Sequence, residues 1–368
     1  MQFIVDREAF VAALQLVSGA VERRHTLAIL SNVLLSVQGK QLSVTATDLE
    51  IELTAQLTLE QAADTDGQIT VPAKKLFDIC RSLPDGSQVR FEFDGDRMLV
   101  RSGRSRFSLL TLAATGFPKV VEDFSGQAFS LLQKQLVNSL QQVHFCMAAQ
   151  DVRYYLNGVL LEIDSEGVVS VATDGHRLAW YRVSQSIDVP RNSVIVPRKA
   201  VQELLRLLSA ENESSISVAL GENHLQIIGE NFQFLTKLID GAFPDYHRVI
   251  PKNHPYCAKV DRDWFRQSVS RASILSNEKQ KGIRLIFSEN RLHLQANNPE
   301  QEEAMEELEI EYSGPDMETA FNATYLLESA SALKTETIQL YLNNSNASLL
   351  IEDESEQSPQ YVVMPVRL

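Results

Sequence analysis

The chain has 368 residues, 44% of them hydrophobic and 22% charged, which is typical of a globular protein with room for two or three cores. Its formal net charge of −14 argues against a surface that is basic all round, as a general nucleic-acid binder would have. No run of about 18 apolar residues predicts a membrane span, no N-terminal signal pattern predicts secretion, and three well-separated cysteines predict neither disulfides nor zinc, so we expect a cytoplasmic protein.

The chain opens with a strand that leads into an amphipathic helix, and this pair recurs twice. Residues 3–5 are apolar, and Phe10, Leu14 and Val17 follow at helical spacing. Residues 129–131 and 257–260 lead in the same way into two further helices, whose apolar residues are Leu136, Leu140 and Val143, and Phe265, Val269 and Ala272. The second and third strands lie 126 and 129 residues after their predecessors.

A second recurring stretch is a strand, a tight turn and another strand. Residues 42–53 read LSVTATDLEIEL, and residues 168–181 read VVSVATDGHRLAWY. The β-branched and aromatic residues on either side of Thr-Asp are typical of strands. Residues 292–298, LHLQANN, give a weaker third version, and the three turns are 126 and 124 residues apart. These offsets predict a large unit used three times.

A second helix is expected in each unit. Residues 71–76 (VPAKKL) match residues 196–201 (VPRKAV) at an offset of 125. We expect both prolines in the first helical turn, where the missing N–H would have no intrahelical partner anyway. Residues 321–326 (FNATYL) take the same place 125 residues later, with Asn322 as the N-cap.

The segments between the helices alternate polar and apolar residues with period two and are punctuated by turn residues, for example at residues 95–96 and 164–167. Each unit is therefore predicted to contain about eight strands and two helices, arranged as two β-α-β-β-β halves. The expected fold is α+β, with three tandem repeats that form domains at residues 1–125, 126–252 and 253–368. Linkers are expected near residues 122–126 and 251–255.

The charges of the predicted helices differ from those of the rest of the chain. Helices at residues 6–20, 72–83, 131–147, 197–208, 261–272 and 324–334 hold twelve bases and seven acids, a net charge of +5, which leaves −19 elsewhere. The simplest interpretation of each helical charge is that it faces solvent. The separation as a whole is typical of a protein that binds a polyanion with one face only.

Several long motifs resemble the bacterial DNA polymerase III beta subunit family, the sliding clamps. They are residues 150–158 (QDVRYYLNG), 172–178 (ATDGHRL), 276–279 (SNEK), 297–303 (NNPEQEE) and 361–368 (YVVMPVRL). The resemblance spans the chain and implies a DNA clamp fold, in which a head-to-tail homodimer forms a six-domain ring. Helices would line a hole through which double-stranded DNA passes, and the ring would tether the replicative polymerase without catalysing a reaction or needing a cofactor.

The resemblance also implies a pocket that binds short peptide motifs of polymerases, the clamp loader and repair proteins. An apolar cleft with a few polar groups is suited to that task. The alternative from the residues alone is that Leu178, Val249, Val362 and Met364 are core strand residues. Val366 and Asn346 depart from the family's pattern, and we expect these two differences to affect the affinity and selectivity of the pocket for its peptides. The implied pocket residues are Arg153, Leu156, Thr173, Gly175, His176, Arg177, Leu178, Pro244, Val249, Asn322, Tyr325, Ser348, Val362, Met364, Pro365, Val366 and Arg367.

Two further surfaces are implied. The DNA-binding residues would be Arg24, Lys74, Gln150, Tyr154, Tyr155, Arg198 and Lys199, where the tyrosines would stack on bases unless one of them is a core residue. At the dimer interface, a basic set would meet an acidic one and favour head-to-tail pairing. The alternative for the acidic run from residue 300 to 311 is a solvated face or a metal site. The interface sets are Lys75, Arg104, Arg106, Phe107 and Leu109, and Ile274, Leu275, Glu300, Glu302, Glu303 and Glu306.

An enzyme is one alternative, because Asp174 and His176 lie two residues apart and His144 could serve as a second base. A hydrolase would also need a nucleophile elbow, a metal cluster or a phosphate loop, and no GxSxG, HExxH or GxxxxGK motif is present. The turn recurs in the first unit without the histidine, which favours a structural role. The other alternative is an interaction scaffold of tandem β domains without ring formation, which predicts a monomer that does not retain DNA.

Overall fold

A computed structural model describes residues 1–22, 27–120, 124–252, 254–355 and 357–367. The described residues form six α-helices and 24 strands. The helices are α1 (Arg7–Val17), α2 (Ala73–Ser82), α3 (Gln133–Val143), α4 (Arg198–Leu207), α5 (Arg262–Ala272) and α6 (Ala323–Ala332).

The strands fall into three sets of eight. The first set is β1 (Gln2–Asp6), β2 (Asn32–Gln38), β3 (Gln41–Thr47), β4 (Ile51–Thr58), β5 (Gly67–Pro72), β6 (Gln88–Asp94), β7 (Arg97–Ser102) and β8 (Ser105–Leu110). The second is β9 (Gln127–Leu132), β10 (Gly158–Asp164), β11 (Gly167–Thr173), β12 (Arg177–Ser184), β13 (Asn192–Pro197), β14 (Ser215–Leu220), β15 (His224–Ile228) and β16 (Phe232–Lys237). The third is β17 (Tyr256–Asp261), β18 (Gly282–Ser288), β19 (Arg291–Asn297), β20 (Glu303–Glu309), β21 (Met317–Asn322), β22 (Thr337–Leu342), β23 (Leu349–Asp353) and β24 (Gln360–Val363). The predicted α+β fold with eight strands and two helices per repeat is confirmed.

The strand before each helix pairs with the three strands that follow the other helix of its repeat. In the first repeat, β1 joins β6-β7-β8, while β5 joins β2-β3-β4. All pairings are antiparallel. Pairing of β4 with β16 joins two of the four-stranded groups into one eight-stranded sheet. Pairing of β12 with β24 joins another two groups into a second eight-stranded sheet. The remaining sheets have four strands, in the orders β1-β6-β7-β8 and β20-β19-β18-β21.

The recurring turn has the same position in all three repeats, because β3, β11 and β19 end at Thr47, Thr173 and Asn297. In the first two repeats the following aspartate accepts hydrogen bonds from the backbone N–H groups two and three residues later, at distances of 2.8 to 3.0 Å. The threonine hydroxyl donates to the carbonyl oxygen four residues on. The Thr-Asp pair thus stabilises a turn, because its short polar side chains form hydrogen bonds with nearby backbone groups.

The first residues of the helices differ from the sequence prediction in the positions of the two prolines. Asp6, Asp261 and Asn322 accept hydrogen bonds from N–H groups of the first turn, as N-caps do. Pro72 and Pro197 do not lie inside the helices as expected; each is the last residue of the preceding strand. Pro72 is the N-cap, with φ −55° and ψ 110°, and a proline there donates no N–H, so the strand ladder ends at it.

The chain forms two compact units: unit 1 comprises Met1–Gln133 and Arg206–Leu238, and unit 2 comprises Lys134–Leu205 and Ile239–Leu368. In unit 1, Phe91 stacks on Phe3 at 4.9 Å and contacts Phe10 of α1 at 4.8 Å, measured between ring centroids. In unit 2, α5 buries Phe265 and Val269. The division into three domains at residues 125 and 252 stays a prediction.

Candidate functional site

The candidate peptide pocket lies on one face of the eight-stranded sheet of unit 2. Its floor is a pair of neighbouring residues, Leu178 of β12 and Val362 of β24, which are opposite each other in the strand register. Both are buried, in a cluster that also contains Leu350. Val249, from the segment that follows β16, packs against this cluster and remains partly exposed. Of the four residues for which core and pocket were alternatives, Leu178 and Val362 are thus buried strand residues of the core, whereas Val249 and Met364 are half-buried.

The end of the chain forms one wall of the candidate pocket. The Met364 backbone N–H donates to the His176 carbonyl oxygen at 2.9 Å, and the Val366 N–H donates to the Ala320 carbonyl oxygen at 2.8 Å. The Ser348 hydroxyl lies 3.8 Å from the Met364 sulfur. These contacts fix the segment after β24 against the turn at residues 174–177 and against β21, so the methionine side chain is held half-buried beside the floor.

Arg177 is the most heavily bonded residue of the site. Its guanidinium donates to Asp174 at 3.1 Å, to the Phe145 carbonyl oxygen at 2.6 Å and to Glu328 of α6. It also lies over the Tyr325 ring, 4.4 Å from the centroid. Its side chain is 9% exposed. One buried cation thus joins the recurring turn, the 3₁₀ helix His144–Cys146 that follows α3, and helix α6.

We expect Arg177→Met to destabilise the protein by about 2 to 4 kcal/mol, because Asp174, Glu328 and the Phe145 carbonyl oxygen each lose a charged donor whose side chain is only 9% exposed. Urea unfolding measures this. Arg284→Met is the matched control, since Arg284 pairs with Glu318 at 2.8 Å and the two side chains are 39% and 55% exposed. That substitution should cost less than about 1 kcal/mol. Equal losses for the two variants would contradict the role assigned to Arg177.

The loop before β10 carries polar residues at the rim of the candidate pocket. The Arg153 guanidinium donates to both oxygens of Asp151, and these hydrogen bonds lower the pKa of the Asp151 carboxyl to about 2. The same guanidinium lies against Gly175, where a Cβ would meet a nitrogen of the flexible Arg153 side chain at 2.9 Å, and the φ of +88° at Gly175 is a conformation that residues with a Cβ rarely adopt. Glycine is therefore favoured in this turn.

The other predicted pocket residues take these places. Leu156 and Thr173 are buried, and Asn322 and Tyr325 lie half-buried at the start of α6. Pro365 is half-buried, whereas Pro244, His176 and Arg367 are exposed. Of the two residues that depart from the family's pattern, Val366 is half-buried and Asn346 is exposed, its N–H bonded to Asn344. Sequence reasoning missed Phe145 and Glu328 as partners of Arg177, and no local pattern signals contacts across 32 and 151 residues.

The predicted DNA-binding residues are mostly exposed. Lys74 and Lys199 lie exposed on the first turns of α2 and α4, and Gln150 is exposed with a left-handed backbone at φ 57°. Tyr154 is 58% exposed, whereas Tyr155 is half-buried and packs against the apolar cluster. Arg198 is half-buried and donates to the Met147 carbonyl oxygen at 3.1 Å. Arg24 lies outside the described residues.

The predicted interface residues lie on two edge strands and beside them. β8 ends one four-stranded sheet of unit 1 and carries Arg106, Phe107 and Leu109, of which Leu109 is buried. β20 ends the four-stranded sheet of unit 2 and carries Glu303 and Glu306. Lys75, Arg104, Glu300 and Glu302 are exposed, Ile274 is 76% exposed, and Leu275 is half-buried.

Glu306 already has a partner in its own chain. The Arg271 guanidinium of α5 donates to both of its carboxylate oxygens, and these hydrogen bonds lower the pKa of the Glu306 carboxyl. Glu306 therefore contributes less free charge to that edge than the sequence implied. Among the described residues, no three His, Cys, Asp or Glu side chains are grouped as metal ligands. In the same part of the chain, no helix has the length and apolar character needed to cross a membrane.

Comparison with known proteins gives a match from end to end. Residues 1–121, 130–245 and 247–367 match the N-terminal, central and C-terminal domain models of the DNA polymerase III beta subunit. The beta sliding clamps of Pseudomonas putida and of Escherichia coli strain K12 are each 48% identical to the chain, and each alignment covers 100% of both proteins.

Solved structures agree. The crystal structure of the DNA polymerase sliding clamp from Pseudomonas aeruginosa with ligand has a TM-score of 0.97 at 48% identity, and the sliding clamp from Bartonella birtlesii bound to griselimycin has a TM-score of 0.93 at 36% identity. Both comparisons cover 100% of each chain. The chain therefore belongs to the DNA polymerase III beta subunit family, the beta sliding clamps.

Proposed function

We propose that two copies of this chain form a closed ring around double-stranded DNA and tether the replicative polymerase to it. The observation that carries this proposal is the identity of 48% to beta sliding clamps in alignments that cover 100% of both proteins. In this proposal the chain acts in the cytoplasm as a processivity factor without an active site of its own.

The distribution of charge supports a ring that binds DNA on its helical layer. The six helices hold eleven bases and five acids, although the whole chain carries −14. Lysines at exposed helix positions attract phosphates without reading sequence, so no position along the duplex is preferred. Such contacts weaken steeply as salt rises. Enclosure, rather than affinity, would then keep the protein on DNA.

The two edge strands support head-to-tail closure. The strand β8 and its surroundings carry Arg104 and Arg106, whereas β20 and the turn before it carry Glu300, Glu302 and Glu303. Opposite charges on different patches favour heterologous pairing over like-with-like pairing, and two such contacts close a ring when the rotation allows it. Each edge strand also presents unpaired backbone groups to a partner strand.

The pocket of unit 2 supports recruitment of partners by short peptide motifs. Its apolar floor at Leu178 and Val362, with Arg153 and Asn322 as polar groups at the rim, suits a segment with one or two large apolar side chains. We propose that polymerases, the clamp loader and repair proteins share this pocket.

Retention on DNA tests the ring directly. After loading by an ATP-driven clamp loader onto nicked circular DNA, the protein should stay bound in about 1 M salt, since the closed ring has no end to slide from. After the circle is linearised, it should be lost within minutes. Gel filtration of the labelled protein with each DNA measures the difference. Loss from both DNA forms at the same rate, together with a monomer mass, would favour the scaffold of tandem β domains instead.

A further inference from the structure

A second concavity lies beside the candidate pocket on the same sheet face. Leu178 and Trp180 are two residues apart on β12, so their side chains point to the same side. In the strand register Leu178 is opposite Val362, and Trp180 is opposite Gln360 of β24. An extended strand rises about 3.3 Å per residue, so the two concavities are about 7 Å apart.

This groove has a volume of about 320 Å³ and is lined by Trp180 and Arg182 of β12, Glu352 of β23 and Gln360 of β24, together with serines that follow β23. Trp180 is half-buried and packs against the same apolar cluster as the pocket floor. The indole is therefore held in place rather than free in solvent. The groove and the predicted pocket thus lie on the same face of the sheet, and Trp180 is the groove residue that packs against the buried cluster with Leu178 and Val362.

The charge of the groove is negative. Arg182 is offset by Asp164 at 3.2 Å and by Glu166 at 3.4 Å. Glu352 accepts a hydrogen bond from the Gln360 amide at 3.0 Å, and no lysine or arginine in the described part of the chain lies within ion-pairing distance of it. An aromatic side chain beside a carboxylate that lacks a counter-ion is complementary to a cation.

We propose that this groove accepts a lysine or arginine side chain of a partner peptide, two or three residues from the apolar side chain that fills the pocket. The proposal rests on the peptide binding proposed above and adds a determinant of selectivity. The aliphatic stem of the basic residue lies along Trp180, and its charge meets Glu352. An acidic residue at the same place is repelled.

The test uses fluorescent peptides with one apolar anchor and with lysine, alanine or glutamate two or three residues away, on either side. Fluorescence anisotropy gives the Kd of each peptide for the full-length protein. We expect the best lysine peptide to bind about three- to tenfold more tightly than its alanine counterpart, and the glutamate peptide to bind more weakly. The difference should shrink as salt is raised.

Glu352→Gln should reduce the preference for lysine to less than about twofold, while the affinity for the alanine peptide changes little. Trp180→Leu should also reduce the preference for lysine to less than about twofold. Glu289→Gln, an exposed carboxylate in the β18–β19 turn, is the control and should keep the preference. Equal affinity of the wild-type protein for all three peptides would overturn the groove proposal and leave the pocket standing. Failure of every peptide to bind would overturn the pocket and the groove together.

Discussion

Truncation after Val363 will abolish binding of partner peptides and leave the dimer intact. The deleted residues 364–368 follow β24, so the pairing of β24 with β12 and β23 survives. The truncation removes the wall of the pocket. In the intact chain, the Met364 N–H donates to the His176 carbonyl oxygen and the Val366 N–H to the Ala320 carbonyl oxygen, which holds this wall in place. The floor at Leu178 then opens to solvent, and an apolar peptide side chain buries much less area there.

Met364→Ala is the finer version of this experiment. A half-buried methionine beside an apolar floor has the character of an interface hot spot, so we expect a loss of about 2 kcal/mol or more, roughly 30-fold in Kd. Peptide titration by anisotropy measures it, and sedimentation checks that the dimer mass is unchanged. Ile228→Ala, which truncates an exposed apolar residue of unit 1, should have no effect. Wild-type affinity in the truncated protein would disprove the assignment of this pocket.

The double substitution Ile274→Ala, Leu275→Ala will convert the dimer into a folded monomer. Ile274 is 76% exposed in the single chain and Leu275 is half-buried, so their truncation leaves the core of unit 2 largely unchanged. A head-to-tail ring has two identical interfaces, and each substitution therefore acts twice. Four apolar truncations at about 1 kcal/mol each raise the dimer Kd by roughly a thousandfold.

Sedimentation at micromolar concentration distinguishes monomer from dimer, and circular dichroism with thermal melting shows whether the variant is folded. Trp264→Leu is the matched control, since Trp264 is an exposed apolar residue of the neighbouring helix α5, at 67% exposure, outside the proposed interface. The monomer should also lose retention on nicked circular DNA. A dimer mass for the double variant would mean that the ring closes through other residues.

Local patterns predicted most of the fold. The helices begin within about two residues of their expected positions, because an amphipathic stripe and a capping side chain act over one or two turns. The turn after Thr47 and Thr173 was recognised for the same reason, since the aspartate bonds only to N–H groups two and three residues on. The motif does not show where the strand ladder ends, so it predicts each proline one residue too far along, inside the helix rather than at the end of the strand.

The sequence by itself determined the repeat, the secondary structure and, through motif resemblance, the family. Only the tertiary structure decided that Arg177 pairs with Glu328, that Arg271 pairs with Glu306, that Tyr154 is exposed while Tyr155 packs, and that Trp180 and Glu352 line one groove. The physical reason is range. Periodicity and capping act within a few residues, whereas these contacts join residues 35 to more than 150 positions apart through the pairing of strands, and no local pattern encodes which strand edges meet.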